Sequence, residues 1–216
     1  MVEPLKETTG DQGATSVGSV SITVAGGNIV NNIFAGGQGE FSTVTGAITV
    51  TFEGSNDYTC NVYGYVPPTV STDPIDQTLV FDGYTGTLSG DIGGFDKITF
   101  AGDAAATLSG TAIENAAWEF DFTERTLAAD AVALTLEHGI STTSGLTLTL
   151  KLADDVPATD WSLATGVGDI ASALSGYEVY VGNTKLEFSG GRVVSGDYAG
   201  WGFDLNGGDL KFKHLA

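Results

Sequence analysis

The chain has 216 residues, with 27 acidic and 8 basic side chains and a formal net charge of −19 at pH 7. Apolar residues make up 42% of it and charged residues only 16%, so it can form a core and is not a charge-solvated disordered segment. The Lys and Arg residues are scattered, whereas phosphate binding requires them to be clustered. Nucleic acids and anionic membrane surfaces are therefore not expected as partners.

The segment 1–16 is polar and lacks the apolar region of a signal peptide. No later run approaches the length of about 18 apolar residues that indicates a membrane helix. We therefore expect a flexible lead-in over 1–16 and a targeting signal that is not present in this chain.

Strand signals dominate from residue 17 onward. The stretches SVSITVAG (19–26), GAITVTF (46–52), DKITFAG (96–102) and LTLTLKL (146–152) alternate apolar residues with Thr, Ser or Lys and are bounded by Gly or Asp. Because no segment sustains a helical period, the pattern predicts an all-β protein.

The tetrapeptide TLSG occurs at 87–90 and again at 107–110, and three columns of apolar residues repeat with the same period of about 20 residues. The columns are Leu88, Leu108, Leu127 and Leu146; Phe81, Phe100, Phe120 and Ile140; and Ile92, Ile113, Val132 and Leu152. Val30, Val50 and Val70 continue the period more loosely toward the N-terminus. Such a short period leaves no room for a crossover helix, but it fits short strands joined by tight turns, which is one coil of a β-solenoid.

On this basis residues 17–152 are predicted to form roughly seven coils of about 20 residues. The segment 153–216 differs in composition and contains two of the three Trp residues. Its stretch DLNGGDLKF predicts a hairpin that turns at Asn206-Gly207. We interpret it as the final coils and a C-terminal cap, since an open sheet edge invites aggregation.

Five stretches share a glycine-punctuated strand pattern: GGNIVNNIFAGGQGE (26–40), STVTGAITVTFEGSNDYTCNVYGYV (42–66), GTLSGDIGGFDKITFAGDAAATLSG (86–110), TDWSLATG (159–166) and YAGWGFDLNGGDLKFKHLA (198–216). The first three resemble the repeats in the passenger regions of autotransporter-like surface proteins of Gram-negative bacteria, and the last two resemble the segment that ends such passengers. Val62-Tyr63-Gly64 departs from that family's pattern, because Tyr65 follows where a second glycine is usual. The resemblance implies a right-handed parallel β-helix displayed at the cell surface, with adhesive or structural roles.

Polysaccharide lyases and hydrolases also use β-helices, and their chemistry needs carboxylates in a cleft, often with a base that stabilises charge. The candidates at loop-like positions are Asp82, Asp91, Asp96, Asp103 and Glu124, with Lys97 and Arg125 as the nearest bases. Asp residues that favour turns on a solvated edge give the same pattern. No catalytic residue is therefore assigned.

Metal and cofactor signals are weak. The stretch 93–103 echoes the Gly/Asp nonapeptide of calcium-loaded β-rolls but occurs once, and neither a phosphate loop nor a His/Cys set for zinc is present. The single cysteine, Cys60, excludes an intramolecular disulfide, and only His138 or His214 could activate it as a nucleophile. We expect no cofactor and no bound metal.

Two further patterns have plain structural interpretations. Threonine motifs at 43–45, 49–51 and 147–150 lack a constant spacing, so an ice-binding array is not expected, and Thr suits the outward face of any strand. The aromatic pairs Tyr63/Tyr65 and Tyr198/Trp201 have the chemistry to stack on sugars, but packing in the core or the cap is the expected role.

The function expected from these patterns is that of a non-enzymatic cell-surface or secreted passenger-type protein, in adhesion or structural display. It is expected outside the cell or displayed at the outer membrane, with host or matrix glycans or proteins, or other surface molecules, as partners. The alternatives are a carbohydrate-active β-helix enzyme and a purely structural spacer like those of surface layers.

Overall fold

The computed structural model describes residues 15–36, 42–64, 75–110, 117–140 and 145–216. Within these ranges the secondary structure is nearly all β, with one four-residue helix, α1 (Ile170–Ala173). The lead-in predicted for 1–16 lies outside the described residues, apart from Thr15 and Ser16.

In chain order the strands are β1 (Thr15–Val17), β2 (Val20–Val24), β3 (Ile33–Phe34), β4 (Ser42–Val44), β5 (Ile48–Phe52), β6 (Val62–Tyr63), β7 (Gln77–Asp82), β8 (Thr87–Leu88), β9 (Ile92–Gly93), β10 (Lys97–Ala101), β11 (Ala106–Leu108), β12 (Ala117–Phe122), β13 (Leu134–Leu136), β14 (Leu146–Leu152), β15 (Trp161–Thr165), β16 (Leu174–Val181), β17 (Thr184–Lys185), β18 (Phe188–Ser189), β19 (Arg192–Val193), β20 (Trp201–Asp204) and β21 (Asp209–His214). The strongly alternating stretches noted in the sequence are β2, β5, β10 and β14.

The strands form three main sheets. An eight-stranded sheet has the order β2-β5-β7-β10-β12-β14-β16-β17, a six-stranded sheet has the order β8-β11-β13-β15-β21-β20, and a three-stranded sheet has the order β3-β6-β9. In the eight-stranded sheet as far as β16, and in the six-stranded sheet as far as β15, neighbouring strands come from successive coils and pair in parallel. The chain is therefore a parallel β-solenoid of about five turns, which confirms the predicted fold class.

The predicted period holds in part of the solenoid. Phe81, Phe100 and Phe120 pair in succession across β7, β10 and β12 and so lie in one column. Leu88 and Leu108, from the two TLSG copies, are also paired. These positions were correctly predicted because the coils that contain β7, β10 and β12 have nearly equal lengths.

Other coils are longer, so the uniform period and the estimate of seven coils were wrong. Leu108 pairs with Leu136 and Phe120 pairs with Leu150, and both of these steps along the chain are clearly longer than the predicted period. Leu127, which was predicted to stack on Leu108, is 40% exposed instead. The cause is the segment 123–133 between β12 and β13, which replaces the short turn 102–105 of the preceding coil.

Two further column assignments are wrong, because other coils also exceed the predicted period. Leu152 pairs with Phe122 and not with Val132, whereas the step from Ile92 to Ile113 lies outside the described residues. Val30 is 83% exposed rather than stacked. Three further members are misassigned: Ile140 and Val132 lie outside any strand, and Leu146 begins β14. Ile113 and Val70 lie outside the described residues, so their assignment is untested.

The core consists of side-chain columns enclosed by the sheets. The rings of Phe52, Phe81, Phe100 and Phe120 stack along the eight-stranded sheet with successive centroid distances of 5.7, 5.4 and 5.2 Å. All four side chains are fully buried. Each such pair contributes about 0.5–1.5 kcal/mol beyond the burial of its area, so this column ties successive coils together.

Antiparallel strands cover the C-terminal end of the stack. β17 pairs with β16, β21 pairs with β15, and β20 pairs with β21. The β20–β21 hairpin turns through Gly207 and Gly208, both with positive φ, which confirms the hairpin predicted around Asn206-Gly207.

Candidate functional site

The outward side chains of the eight-stranded sheet form a largely polar surface, which we call the outer face. In β5, for example, Ile48, Val50 and Phe52 are fully buried, whereas Thr49 and Thr51 point outward. β12 and β14 show the same alternation. Because the strands pair in parallel and in register, outward residues of neighbouring strands line up in columns across the sheet.

Two columns of the outer face consist mainly of threonine, serine and charged residues. One contains Ser21, Thr49, Thr78, Lys97 and Ala117, and the other contains Thr23, Thr51, Val80, Thr99, Glu119, Thr149 and Glu178. Thr51 and Thr149 thus share a column although they are far apart in the chain. Unequal coil lengths conceal this shared column in the sequence. The third motif, at 43–45, does not belong to it, because β4 pairs with β1 in a separate sheet.

A network of paired charges occupies the centre of the outer face. Glu119 lies 2.9 Å from Nζ of Lys151 and 3.5 Å from Nζ of Lys97. Lys151 also lies 3.8 Å from Asp121. Partial burial acts to lower the pKa of Lys151, but hydrogen bonding to Glu119 and the nearby Asp121 outweigh it, so this pKa is raised. Two cations and two anions therefore give an electrically balanced centre within a strongly acidic chain.

The six-stranded sheet carries a second threonine column. Thr87, Thr107, Thr135 and Thr165 pair in succession across β8, β11, β13 and β15. The last of them donates a 2.6 Å hydrogen bond to Asp209 of the cap. The sequence signal for this column is a Thr-Leu dipeptide that occurs in β8, β11 and β13. Its spacing along the chain is not constant.

Asp103, a candidate for enzymatic chemistry, holds the long segment 123–133 in place. Its carboxylate accepts hydrogen bonds from the backbone N–H groups of Thr126 (2.7 Å) and Leu127 (2.9 Å), and from the Thr126 hydroxyl (2.5 Å). The hydroxyl bond, followed by the backbone bonds, lowers the pKa of Asp103. These contacts give the carboxylate a structural role.

Arg125 fixes the same segment from its inner side. Its guanidinium donates to the carbonyl oxygens of Gly102 (3.1 Å), Ala104 (3.0 Å) and Ala131 (2.8 Å), and it lies 4.5 Å from the centroid of the Phe122 ring. Burial lowers the pKa of Arg125, although the nearby Asp103 acts in the opposite direction. The planar fork of arginine suits this set of carbonyls, so Arg125 joins two coils.

The other enzymatic candidates are dispersed. Asp82 is the last residue of β7, whereas Asp103 and Glu124 each lie two residues beyond the ends of β10 and β12, and Asp82 and Glu124 are exposed. Asp96 accepts a 2.9 Å hydrogen bond from the Gln77 N–H. Asp91, directly before β9, is half-buried. Lys97 points instead onto the outer face, where it pairs with Glu119.

Metal ligation and thiol chemistry find little support in the described ranges. No group of three or more His, Cys, Asp or Glu side chains in them is placed to hold a metal ion. Cys60 is buried, which raises the pKa of its thiol and makes it less reactive. Tyr58, Leu88, Leu108 and Leu136 are paired in succession, so His138 lies three strand spacings, about 14 Å, beyond Cys60. His214 lies in β21 of the cap.

The aromatic pairs are occupied by packing. Tyr198 and Trp201 are 4% and 7% exposed, with ring centroids 5.4 Å apart, so the expected packing role is confirmed for them. Tyr63 stacks on Phe34 at 5.3 Å, and both are half-buried. Tyr65 lies outside the described residues.

No protein-family model matches the chain, and no curated protein or solved structure matches it either. Within the described ranges, no helix has the length and apolar character needed to cross a membrane. The resemblance to autotransporter passengers therefore stays a prediction from sequence motifs.

Proposed function

We propose that this protein is a non-enzymatic, extracellular or cell-surface protein of the passenger type, which acts in adhesion or structural display, and that the outer face is its ligand-binding surface. The observation that carries the proposal is the set of in-register columns on that face. The hydroxyl groups of Ser21, Thr49 and Thr78 lie on successive strands at the inter-strand spacing of about 4.8 Å, and those of Thr23 and Thr51 do so in the neighbouring column, although Thr99 further along that column is buried. Such a surface offers the same chemistry repeatedly along the axis of the solenoid.

The chemistry of the outer face favours a neutral, hydroxyl-rich polymer as ligand. Threonine hydroxyls donate and accept hydrogen bonds, as sugar hydroxyls do. The central charges belong to ion pairs formed by Lys97, Lys151, Glu119 and Asp121. The net charge of −19 repels anionic polymers. Among the expected partners, neutral host or matrix glycans therefore fit this face best.

The architecture supports a display role. Each coil packs on its neighbours, so the chain forms a rod whose length grows with the number of coils. Antiparallel strands cover the C-terminal edges of the eight- and six-stranded sheets. A rod covered at one end can hold its outer face away from the surface that carries it.

The test is binding to a panel of neutral and anionic glycans, with matched variants on the two faces. Thr51→Lys and Thr149→Lys place long charged side chains in one column of the outer face. Thr135→Lys makes the same change at an outward position of the six-stranded sheet. We expect the outer-face variants to bind a neutral glycan about tenfold or more weakly, which corresponds to about 1.4 kcal/mol, and the control variant to bind like the wild type.

Two results would count against the proposal. One is a wild-type chain that binds no neutral glycan, and the other is an equal loss of binding in the control variant. Release of new reducing or unsaturated sugar ends from any polymer of the panel would favour the alternative function, a carbohydrate-active enzyme.

A further inference from the structure

Among the described residues, the strand edge at the N-terminal end of the eight-stranded sheet is unpaired. β2 is the first strand of the eight-stranded sheet, and nothing among the described residues pairs with its second edge. Val20 and Val24 each form a 2.9 Å backbone hydrogen bond toward the segment that contains β5. Because the bonding direction alternates along a parallel strand, the backbone groups of Ser21 and Thr23 point to the free edge.

The apolar core continues to this end without being fully covered. Val20 and Ile22 are only half-buried, whereas their partners Ile48 and Val50 in the next coil are fully buried. Val30 is 83% exposed in the same first coil. The end of the stack therefore combines an unpaired backbone with accessible apolar side chains.

The same end lacks the charges that normally protect such an edge. Residues 12–39 contain no Asp, Glu, Lys, Arg or His, although the chain carries a net charge of −19. Natural edge strands commonly carry charged residues, especially Lys, that prevent pairing with another molecule. The opposite end follows that rule, since the exposed Lys185 of β17 forms an ion pair with Glu178.

We propose that two copies of this chain associate through their N-terminal ends, with β2 of each copy pairing antiparallel to β2 of the other about a twofold axis near Ile22. In this arrangement Ser21 of one copy and Thr23 of the second copy exchange backbone hydrogen bonds. The inward side chains of both β2 strands then continue a single core across the junction.

Charge and topology select a second copy as the occupant. Two molecules that each carry a charge of −19 repel one another, and the uncharged segment 12–39, which contains β2, allows the closest approach with the least repulsion. The other end is covered by antiparallel strands, so association about a twofold axis closes as a dimer and does not continue into a filament.

The test is the mass in solution, measured by light scattering after size exclusion and by sedimentation equilibrium. We expect the wild-type chain to have twice its chain mass of 22.2 kDa. Thr23→Pro removes an N–H at the free edge and leaves the bonds to β5 in place, so this variant is expected to be monomeric. Thr23→Val keeps the edge backbone and is expected to remain dimeric. Added salt is expected to strengthen the dimer, because it screens the repulsion between the copies.

Two results in solution would overturn the proposed N-terminal dimer. A wild-type chain that stays monomeric at its highest soluble concentration, in low and in high salt, overturns it. A dimer that persists in folded Thr23→Pro also overturns it, because the contact then lies elsewhere. If Thr23→Pro loses its native circular dichroism spectrum, Thr23→Lys takes its place in the test, because it keeps the N–H and places two like charges across the edge. This variant is expected to be monomeric, and a persisting dimer would overturn the proposal.

Discussion

The hydroxyl of Ser109 donates a 2.9 Å hydrogen bond to the hydroxyl of Ser89, which lies one coil away. The same two coils bring Gly110 against Gly90 so closely that an added Cβ at Gly110 would lie 2.1 Å from the Gly90 carbonyl oxygen. Leu88 pairs with the buried Leu108, and Thr87 pairs with Thr107, so all four positions of the repeated tetrapeptide join adjacent coils. The repeat is therefore a structural unit of the stack.

Gly110→Ala is expected to lower the free energy of unfolding by about 1–3 kcal/mol, because the new methyl group must displace the backbone of the neighbouring coil. Urea denaturation of the variant and the wild type measures the change. Gly176→Ala is the matched control, since an added Cβ there meets nothing within 4 Å. Equal stability of the Gly110 variant and the wild type would show that these coils are not so closely packed.

Arg125→Ala is expected to destabilise the protein by about 2–3 kcal/mol, because three carbonyl oxygens lose hydrogen bonds from a charged donor. Arg125→Lys keeps the charge but cannot reach all three carbonyls, so an intermediate loss is expected. Thermal and urea unfolding measure both variants. A lysine variant as stable as the wild type would mean that charge alone holds the segment.

The stabilising effect of Asp103 is expected to depend on pH. Its hydrogen bonds lower its pKa in the folded protein, so its contribution is fully present above the unfolded value of about 4 and is lost as the pH falls through the lower, folded value. At pH 7, Asp103→Ala is expected to cost about 1 kcal/mol, since solvent screens this partly exposed carboxylate. The difference in unfolding free energy between wild type and variant should therefore shrink below pH 4. A difference that is constant from pH 7 to pH 2 contradicts this account.

Cys60 is expected to be unreactive in the folded protein. The thiol is buried and its pKa is raised, so little thiolate is available to a thiol reagent. Labelling with a chromogenic disulfide should be about tenfold or more slower at Cys60 than at a cysteine introduced by Thr184→Cys in exposed β17. Equal rates would place Cys60 at the surface.

The fold class was predictable because inward apolar residues of adjacent equal-length coils recur at a constant interval. Phe81, Phe100 and Phe120 follow this rule. The later coils were not predictable from periodicity, since a segment such as 123–133 lengthens its coil without adding a strand to any of the three main sheets. Its anchor, the guanidinium of Arg125, bonds to backbone carbonyls, which are not identifiable in a sequence.

The outer face was hidden by the same irregularity. Thr51 and Thr149 belong to one column, but the intervening coils differ in length, so no fixed interval relates them. The ion pairs of Glu119 with Lys97 and Lys151 also depend on that register. Composition indicated the acidic character of the chain, whereas only the strand pairing shows where its charges are balanced.

The register of unequal coils is the central structural claim, because it creates the columns of both faces, and a disulfide cross-link tests it most directly. In a Cys60→Ala background, Thr107→Cys combined with Thr135→Cys places two thiols on adjacent paired strands, about 4.8 Å apart along the stack and within disulfide range. Thr107→Cys combined with Thr126→Cys places them as a constant period would require. We expect the first pair to oxidise in the folded protein and the second to remain reduced. Cross-linking of the second pair but not of the first would contradict the register and, with it, the proposed binding face.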